Sequence, residues 1–201
     1  MTPAADAVER LADFVRRRRR LLVLTGAGCS TESGIPDYRD PAGDWKRRRP
    51  VLHQDFMRSE HARRRYWVRS MQGFPIMARA RPNAAHAALA ALEADGRAAL
   101  TVTQNVDGLH QAAGSRALVE LHGTVHRVRC TRCQAQLSRA TIQDRLERLN
   151  PRFRSLTDEA APDGDADLAD LDAPGALDDF RVPACDACGG VLKPDVVFFG
   201  E

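Results

Sequence analysis

Leu21-Leu22-Val23-Leu24-Thr25-Gly26-Ala27-Gly28-Cys29-Ser30-Thr31 is a short apolar run broken at once by a pair of glycines. The run reads as a buried strand. Glycines directly after a strand let backbone N–H groups approach a phosphate closely, so the segment opens a nucleotide-binding α/β unit. It departs from the fingerprint of hydride-transferring enzymes. Thr31 stands where the third glycine belongs, and no second strand ending in an acidic residue follows about twenty residues on. A dehydrogenase is disfavoured.

Outward from this segment, helix and strand alternate. Residues 3–20 carry Val8, Leu11, Ala12 and Val15 at three- and four-residue steps and end in arginines, as an amphipathic helix does. Residues 40–73 mix Pro, Gly, Arg and aromatics and read as a loop with short helices around 55–70, together a small lid. Asn83 caps a helix over 84–95 with Leu89 and Leu92 on its inner side, and a strand follows over 98–103. Gln104-Asn105-Val106-Asp107 leads into a short helix ending near Ala113. A strand over 117–121 ends in His122-Gly123, a helix over 141–149 is stopped by Asn150-Pro151, and a final strand spans 195–199. This alternation predicts an α/β fold with a parallel sheet.

The chain has 201 residues, 43% of them hydrophobic, which accommodates one domain, or one domain carrying a small module, and excludes disordered and fibrous classes. No apolar run reaches the roughly 20 residues of a membrane span, and the N-terminus lacks a secretory layout, so a cytoplasmic location without membrane contact is expected. Net charge is +3, yet Asp158 to Asp179 holds nine acidic residues and no Lys or Arg, so the body is more basic than the total suggests. The acidic stretch reads as a surface loop. Basic clusters at Arg16–Arg20, Arg47–Arg49 and Arg63–Arg65 suit nucleic acid, phosphate-bearing ligands or acidic proteins, and equally suit solvated helix ends.

Four of the five cysteines form two Cys-x-x-Cys pairs, Cys130 with Cys133 and Cys185 with Cys188, while Cys29 stands alone. In a reducing compartment such doublets are metal ligands more often than disulfides. Two of them supply four thiolates for one tetrahedral Zn2+, and a four-thiolate site leaves no open position, so its role is structural.

Gly26-Ala27-Gly28-Cys29-Ser30-Thr31-Glu32-Ser33-Gly34-Ile35-Pro36-Asp37-Tyr38-Arg39, then Thr103-Gln104-Asn105-Val106-Asp107-Gly108-Leu109-His110, Leu121-His122-Gly123, the two cysteine pairs and Lys193-Pro194-Asp195-Val196-Val197-Phe198-Phe199-Gly200-Glu201 together resemble the sirtuin family of NAD-dependent protein lysine deacylases. The resemblance covers nearly the whole chain. The long insertion between the cysteine pairs, and the form of residues 33–39, are most similar to the class II branch.

The resemblance implies a Rossmann-like parallel-sheet domain over 1–126 and 191–201, with the lid at about 40–80, and an inserted zinc-ribbon module over 127–190. NAD is implied as a co-substrate, with nicotinamide leaving as the acyl group passes to ADP-ribose. Gly26, Ala27, Gly28, Ser30 and Arg39 are implied to hold the diphosphate and ribose. Ile35, Asp37 and Tyr38 would form the cofactor loop, and Gln104, Asn105, Val106 and Asp107 the nicotinamide pocket. His122 would be the base that takes a proton from a ribose hydroxyl, a role suited to an imidazole at cellular pH. His110 and His126 are assigned to structural support.

Acyl-lysine peptides or proteins would lie along Val196, Val197, Phe198, Gly200 and Glu201 as an added strand. Tyr66-x-x-Arg69 is similar to the pair by which some sirtuins hold negatively charged acyl groups. Sirtuins continue past the Phe-Gly-Glu sequence with strands that bind adenosine, so the chain is expected to be truncated, with an incomplete sheet and weak NAD binding of its own. A monomer that does not bind nucleic acid is expected. Two alternatives differ in outcome: a protein mono-ADP-ribosyltransferase would leave the label on protein, and a zinc-ribbon nucleic-acid adaptor would bind nucleic acid in a salt-dependent way without consuming NAD.

Overall fold

In the computed structural model, which describes residues 3–37, 42, 44, 50–154, 171, 173 and 175–201, the apolar run that precedes the glycines is β1 (Leu21–Thr25). It pairs in parallel with β2 (Ala98–Thr103), and β2 pairs in parallel with β3 (Leu118–Glu120), in the order β1-β2-β3. Parallel neighbours require crossovers. Between β1 and β2 the described chain supplies α2 (His53–Arg58), α3 (Glu60–Arg79) and α4 (Ala84–Ala94), and between β2 and β3 the single turn of α5 (Leu109–Ala112). The sheet is Rossmann-like.

The expectation that β1 is buried is corrected. Leu22 and Leu24 are 71% and 64% exposed and only Thr25 is buried, because β1 is the outer strand and its outward face meets no packing layer among the described residues. The N-terminal helix α1 (Pro3–Arg17) leaves Val8, Leu11 and Phe14 exposed as well.

A second, antiparallel sheet has the order β5-β4-β6, from β4 (Gly123–Cys130), β5 (Gln136–Ser138) and β6 (Leu192–Val196). The strand expected over 195–199 begins three residues earlier and runs antiparallel to β4 instead of extending the parallel sheet. Cross-strand pairing drives the shift: Cys130 sits opposite Leu192, and Asp195 pairs with both Arg127 (3.0 Å) and Arg129 (2.9 Å). β4 passes through the expected junction at 126/127, so this sheet draws on both expected units.

α3 continues to Arg79, beyond the expected end near Ser70, and passes through Gly73 and Pro75. Those residues disfavour a helix interior by about 1 and 3 kcal/mol. Burial of every residue from Tyr66 to Phe74, and of Met77, opposes that penalty. The main core packs Phe56, Tyr66, Trp67, Val68 and Met71 against Val128, Leu192 and the inner face of α6 (Arg139–Leu149), which supplies Ile142 and Leu146. Arg139 is buried among them, 4.4 Å over the Phe74 ring and donating to the Ser70 carbonyl at 2.9 Å. A smaller cluster joins Ile35, Met77, Val106, Leu109 and Val125.

Tyr38, Arg39, the Arg47–Arg49 cluster and most of the acidic stretch lie outside the described residues. Among the described residues no helix is long and apolar enough to cross a membrane.

Candidate active site and cysteine cluster

The carboxyl ends of β1, β2 and β3 each lead into one of the quoted motifs, the place where open α/β sheets gather ligands. Thr25 and Thr103 close the adjacent ends of β1 and β2, the Thr25 hydroxyl donating to that of Thr103 at 2.9 Å. The Gln104 N–H donates to the Thr25 carbonyl at 3.0 Å, and the Asn105 N–H to the Thr103 hydroxyl at 3.0 Å. Sequence reading did not single out these threonines.

After Gly26 the chain forms a 3-10 helix over Ala27–Ser33, tighter than an α-helix, and leaves it through Gly34 at φ +84°, a left-handed geometry that suits glycine. A Cβ at Gly26 or Gly28 would meet nothing within 4 Å, so open space lies where those side chains would stand. That opening fits a group drawn close to the backbone.

Ser30, Asn105 and Asp107 form one buried unit. The Ser30 hydroxyl donates to Asp107 Oδ2 at 2.6 Å and accepts from Asn105 Nδ2 at 3.1 Å, while Asp107 Oδ1 accepts the Leu109 N–H at 2.9 Å. Ile35 and Val106 are brought together in the core below them, and Asp37 follows at the end of the described loop.

His122 projects into solvent beside this unit, with Nδ1 3.0 Å from the Gln104 carbonyl. A carbonyl only accepts, so Nδ1 carries the proton and Nε2 presents a free lone pair. Gly123 holds the histidine against β6. A Cβ there would lie 2.0 Å from the Asp195 carbonyl oxygen, and the Val197 N–H donates to the His122 carbonyl at 3.0 Å. His126 Nε2 donates to the Asp107 carbonyl at 2.9 Å, bracing the same loop.

Beyond β6, Phe198 is buried in edge contact with Phe56 and tilted against Tyr66, each at 5.2 Å between ring centroids. Val197 and Phe199 face outward. Lys193, quoted in the last motif without a role of its own, donates to the Val196 carbonyl at 2.6 Å, pairs with Glu201 at 2.8 Å and lies 4.6 Å over the Phe198 ring. Burial raises the Glu201 carboxyl, but Lys193 and the Phe198 N–H outweigh it and bring the group below its ordinary value. Tyr66 thus touches the segment expected to hold peptide, with Arg69 buried one turn further along α3.

The four paired cysteines converge. Their sulfurs lie within 4.8 Å of one another, with Cys130 to Cys188 at 3.5 Å and Cys133 to Cys185 at 3.7 Å. A disulfide needs about 2.05 Å, whereas thiolates around tetrahedral zinc stand about 3.8 Å apart. The cluster fits a structural zinc site. A Cβ at Gly190 would come within 2.8 Å of Cys130 Sγ, so glycine leaves room for the sulfur. Backbone N–H groups of Cys133 and Arg132 outweigh burial and draw the Cys130 thiol down to about 6. At Cys133 the Ala135 N–H, which lowers the thiol, is outweighed by hydrogen bonds with Cys188 and Cys130, which push it up to about 11, so of these two Cys130 is the thiolate.

A second group, missed in the sequence, brings Cys29 together with His86 and His110. Burial, then the Asp107 charge, raises the Cys29 thiol, and burial lowers both imidazoles.

Residues 26–201 match the Sir2 family. The chain is 57% identical over its full length to NAD-dependent protein deacetylase 2 of Bradyrhizobium diazoefficiens, covering 72% of that protein. Over 95% of its length it is 59% identical to an NAD-dependent protein deacetylase of Xanthomonas campestris pv. campestris, covering 64% of it. Among solved structures, a Sir2 complex with a p53 peptide and NAD+ matches at a TM-score of 0.70 and 32% identity, over 96% of this chain and 64% of that one. A Sir2 protein bound to a propionylated peptide matches at 0.68 and 32%, with the same coverages. The chain thus spans roughly two thirds of the length of these relatives.

Proposed function

The chain belongs to the Sir2 family, and from that premise we propose that it acts as an NAD-dependent protein lysine deacylase on acyl-lysine peptides or proteins. The observation that carries the reading is the bond from His122 Nδ1–H to the Gln104 carbonyl at 3.0 Å, which leaves Nε2 as a solvent-facing base.

The open space before Gly26, Ala27 and Gly28 would receive the diphosphate of NAD, with Ser30, Ile35, Asp37, Gln104, Asn105, Val106 and Asp107 lining the rest of the pocket; Tyr38 and Arg39, outside the described residues, are assigned to NAD from their place in the motif alone. NAD supplies, when bound, a ribose carbon whose bond to nicotinamide is the one broken. Ser30 and Asn105 hold each other and Asp107 in a fixed frame, so the polar atoms of the pocket need little reordering as substrate enters. His122 accepts a proton at Nε2, and the Gln104 carbonyl, already holding Nδ1–H, stabilises the resulting imidazolium.

β6 is an outer strand of its sheet, and Val197 and Phe199 beyond it face solvent, where a peptide can lie. Tyr66 and Arg69 would set the acyl preference from α3. The test is product analysis by mass spectrometry after incubation with NAD+ and an acetyl-lysine peptide. Deacylated peptide with acyl-ADP-ribose is expected, and His122→Gln is expected to lower the rate by about 10²–10⁴-fold. Label retained on protein would support ADP-ribosyl transfer instead, and an unchanged rate in the variant would remove His122 from the chemistry.

A further inference from the structure

Cys29, His86 and His110 come from the loop after β1, the first turn of α4 and α5, and none has a part in the chemistry proposed above. The thiol sulfur and one nitrogen of each ring lie within 4.8 Å of one another, with Cys29 Sγ 4.0 Å from His86 Nε2. The two rings stand 4.8 Å apart between centroids, and both are fully buried, at 0% and 1% exposure.

The hydrogen bonds around these rings show which of their nitrogens already have partners. The Thr25 hydroxyl gives its proton to Thr103, so at 2.9 Å from His110 Nε2 it accepts, which places the ring proton on Nε2. His110 Nδ1 is then a bare lone pair. It is buried and has no hydrogen-bond partner among the described residues. In His86, Nδ1 is engaged by Asn83 alone, accepting its backbone N–H at 3.3 Å and lying 2.9 Å from its Oδ1, and the other ring nitrogen, Nε2, faces the Cys29 thiol. A buried polar atom without a partner is destabilising and calls for an occupant.

We infer that Cys29 Sγ, His86 Nε2 and His110 form a second metal site, for a thiophilic divalent ion of the zinc class, distinct from the four-cysteine cluster. One soft sulfur with two imidazole nitrogens is a donor set that zinc favours. Metal–ligand bonds of about 2.0–2.3 Å place tetrahedral ligand atoms about 3.3–3.8 Å apart, so the present 4.0 Å separation closes with a shift of well under an ångström. Asn83 and Thr25 would orient the two rings from behind, as outer partners of metal-bound histidines do. Binding exchanges the Cys29 thiol proton, released to solvent, for a sulfur–metal bond and leaves a fourth position for water. The bound ion would tie the loop that carries Ser30 to α4 and α5.

The test is equilibrium dialysis of the 201-residue chain against micromolar Zn2+, with metal counted by atomic emission, beside Cys29→Ala. The wild-type chain is expected to hold one equivalent more than the variant, whose affinity at this site should fall at least about a hundredfold. Because the site is counted by that difference, emptiness of the four-cysteine cluster would leave the result readable. If Cys29→Ala loses its circular dichroism, zinc-edge absorption on the wild-type chain replaces it, and one sulfur with two nitrogens is expected around the additional ion. Equal metal content in both proteins, or an additional ion with only oxygen and nitrogen neighbours, overturns the inference.

Discussion

The two sheets solve the same problem differently. In the antiparallel sheet Leu192 and Val128 are essentially inaccessible, closed over by α3 and α6 and tied at one end by four sulfurs. In the parallel sheet the buried side chains of the strand ends are threonines, Thr25 and Thr103, while Leu22, Leu24 and Val119 face outward. One half invests its apolar residues in a core. The other turns polar ends toward the site, and hydrogen bonds among Thr25, Thr103, Asn105, Ser30 and Asp107 join its loops. The contrast teaches that the proposed chemistry draws on the less insulated half and the proposed peptide contact on the better packed one.

The strongest way to break this contrast is to strip the four-cysteine cluster. Structural zinc couples on the order of 10 kcal/mol to folding, so exhaustive chelation is expected to unfold the β4-β5-β6 half, with β1-β2-β3 amides keeping their own hydrogen-exchange rates. Simultaneous collapse of both halves would show one cooperative unit. A milder probe compares apolar residues across the halves. Phe56→Ala, in the main core, is expected to lower stability by about 3–5 kcal/mol, and Leu24→Ala, 64% exposed, by less than about 1 kcal/mol. Denaturant melts that gave equal losses would erase the distinction.

Smaller again is the effect on acyl choice. Replacing Arg69 with Met removes a cation from α3, and turnover of a succinyl-lysine peptide should drop about 10–100-fold relative to an acetyl-lysine peptide. Parallel loss on both peptides would restrict Arg69 to packing. The smallest expected change concerns Glu93, whose Oε1 accepts from the N–H groups of Ala117 (2.8 Å) and Arg116 (2.9 Å), joining α4 to the start of β3. Those bonds hold its carboxyl below the ordinary value of 4.5. Its contribution is thus complete above that pH and lost as pH falls through the lowered value. Melting Glu93→Gln beside the wild-type chain should show a difference at pH 7 that shrinks on acidification, and a gap that widens in acid would reverse the assignment.

Much of the parallel half was legible. The apolar run before Gly26, the cap at Asn83 and the strand over 98–103 each announce themselves through local chemistry that tertiary contacts did not override. β4 and β5 were not, since His122-Gly123 reads as the end of the preceding strand and three residues are too few to display a period of two. The length of α3 was hidden because Gly73 and Pro75 signal termination, and only long-range burial outweighs them. Within the site, residue identities were legible through the motifs. The acceptor that fixes the His122 ring, a backbone carbonyl, carries no sequence signal at all. Cys29 and His86 are 57 positions apart, and nothing local links them.

The missing side chain at Gly123 has a longer-range meaning. With 2.0 Å between a hypothetical Cβ and Asp195, the imidazole is indexed to β6 through main chain alone. The side chains at positions 197 and 199 point outward and take no part in that contact. A substitution at the outward positions is therefore expected to alter the proposed peptide contact while leaving the histidine in register.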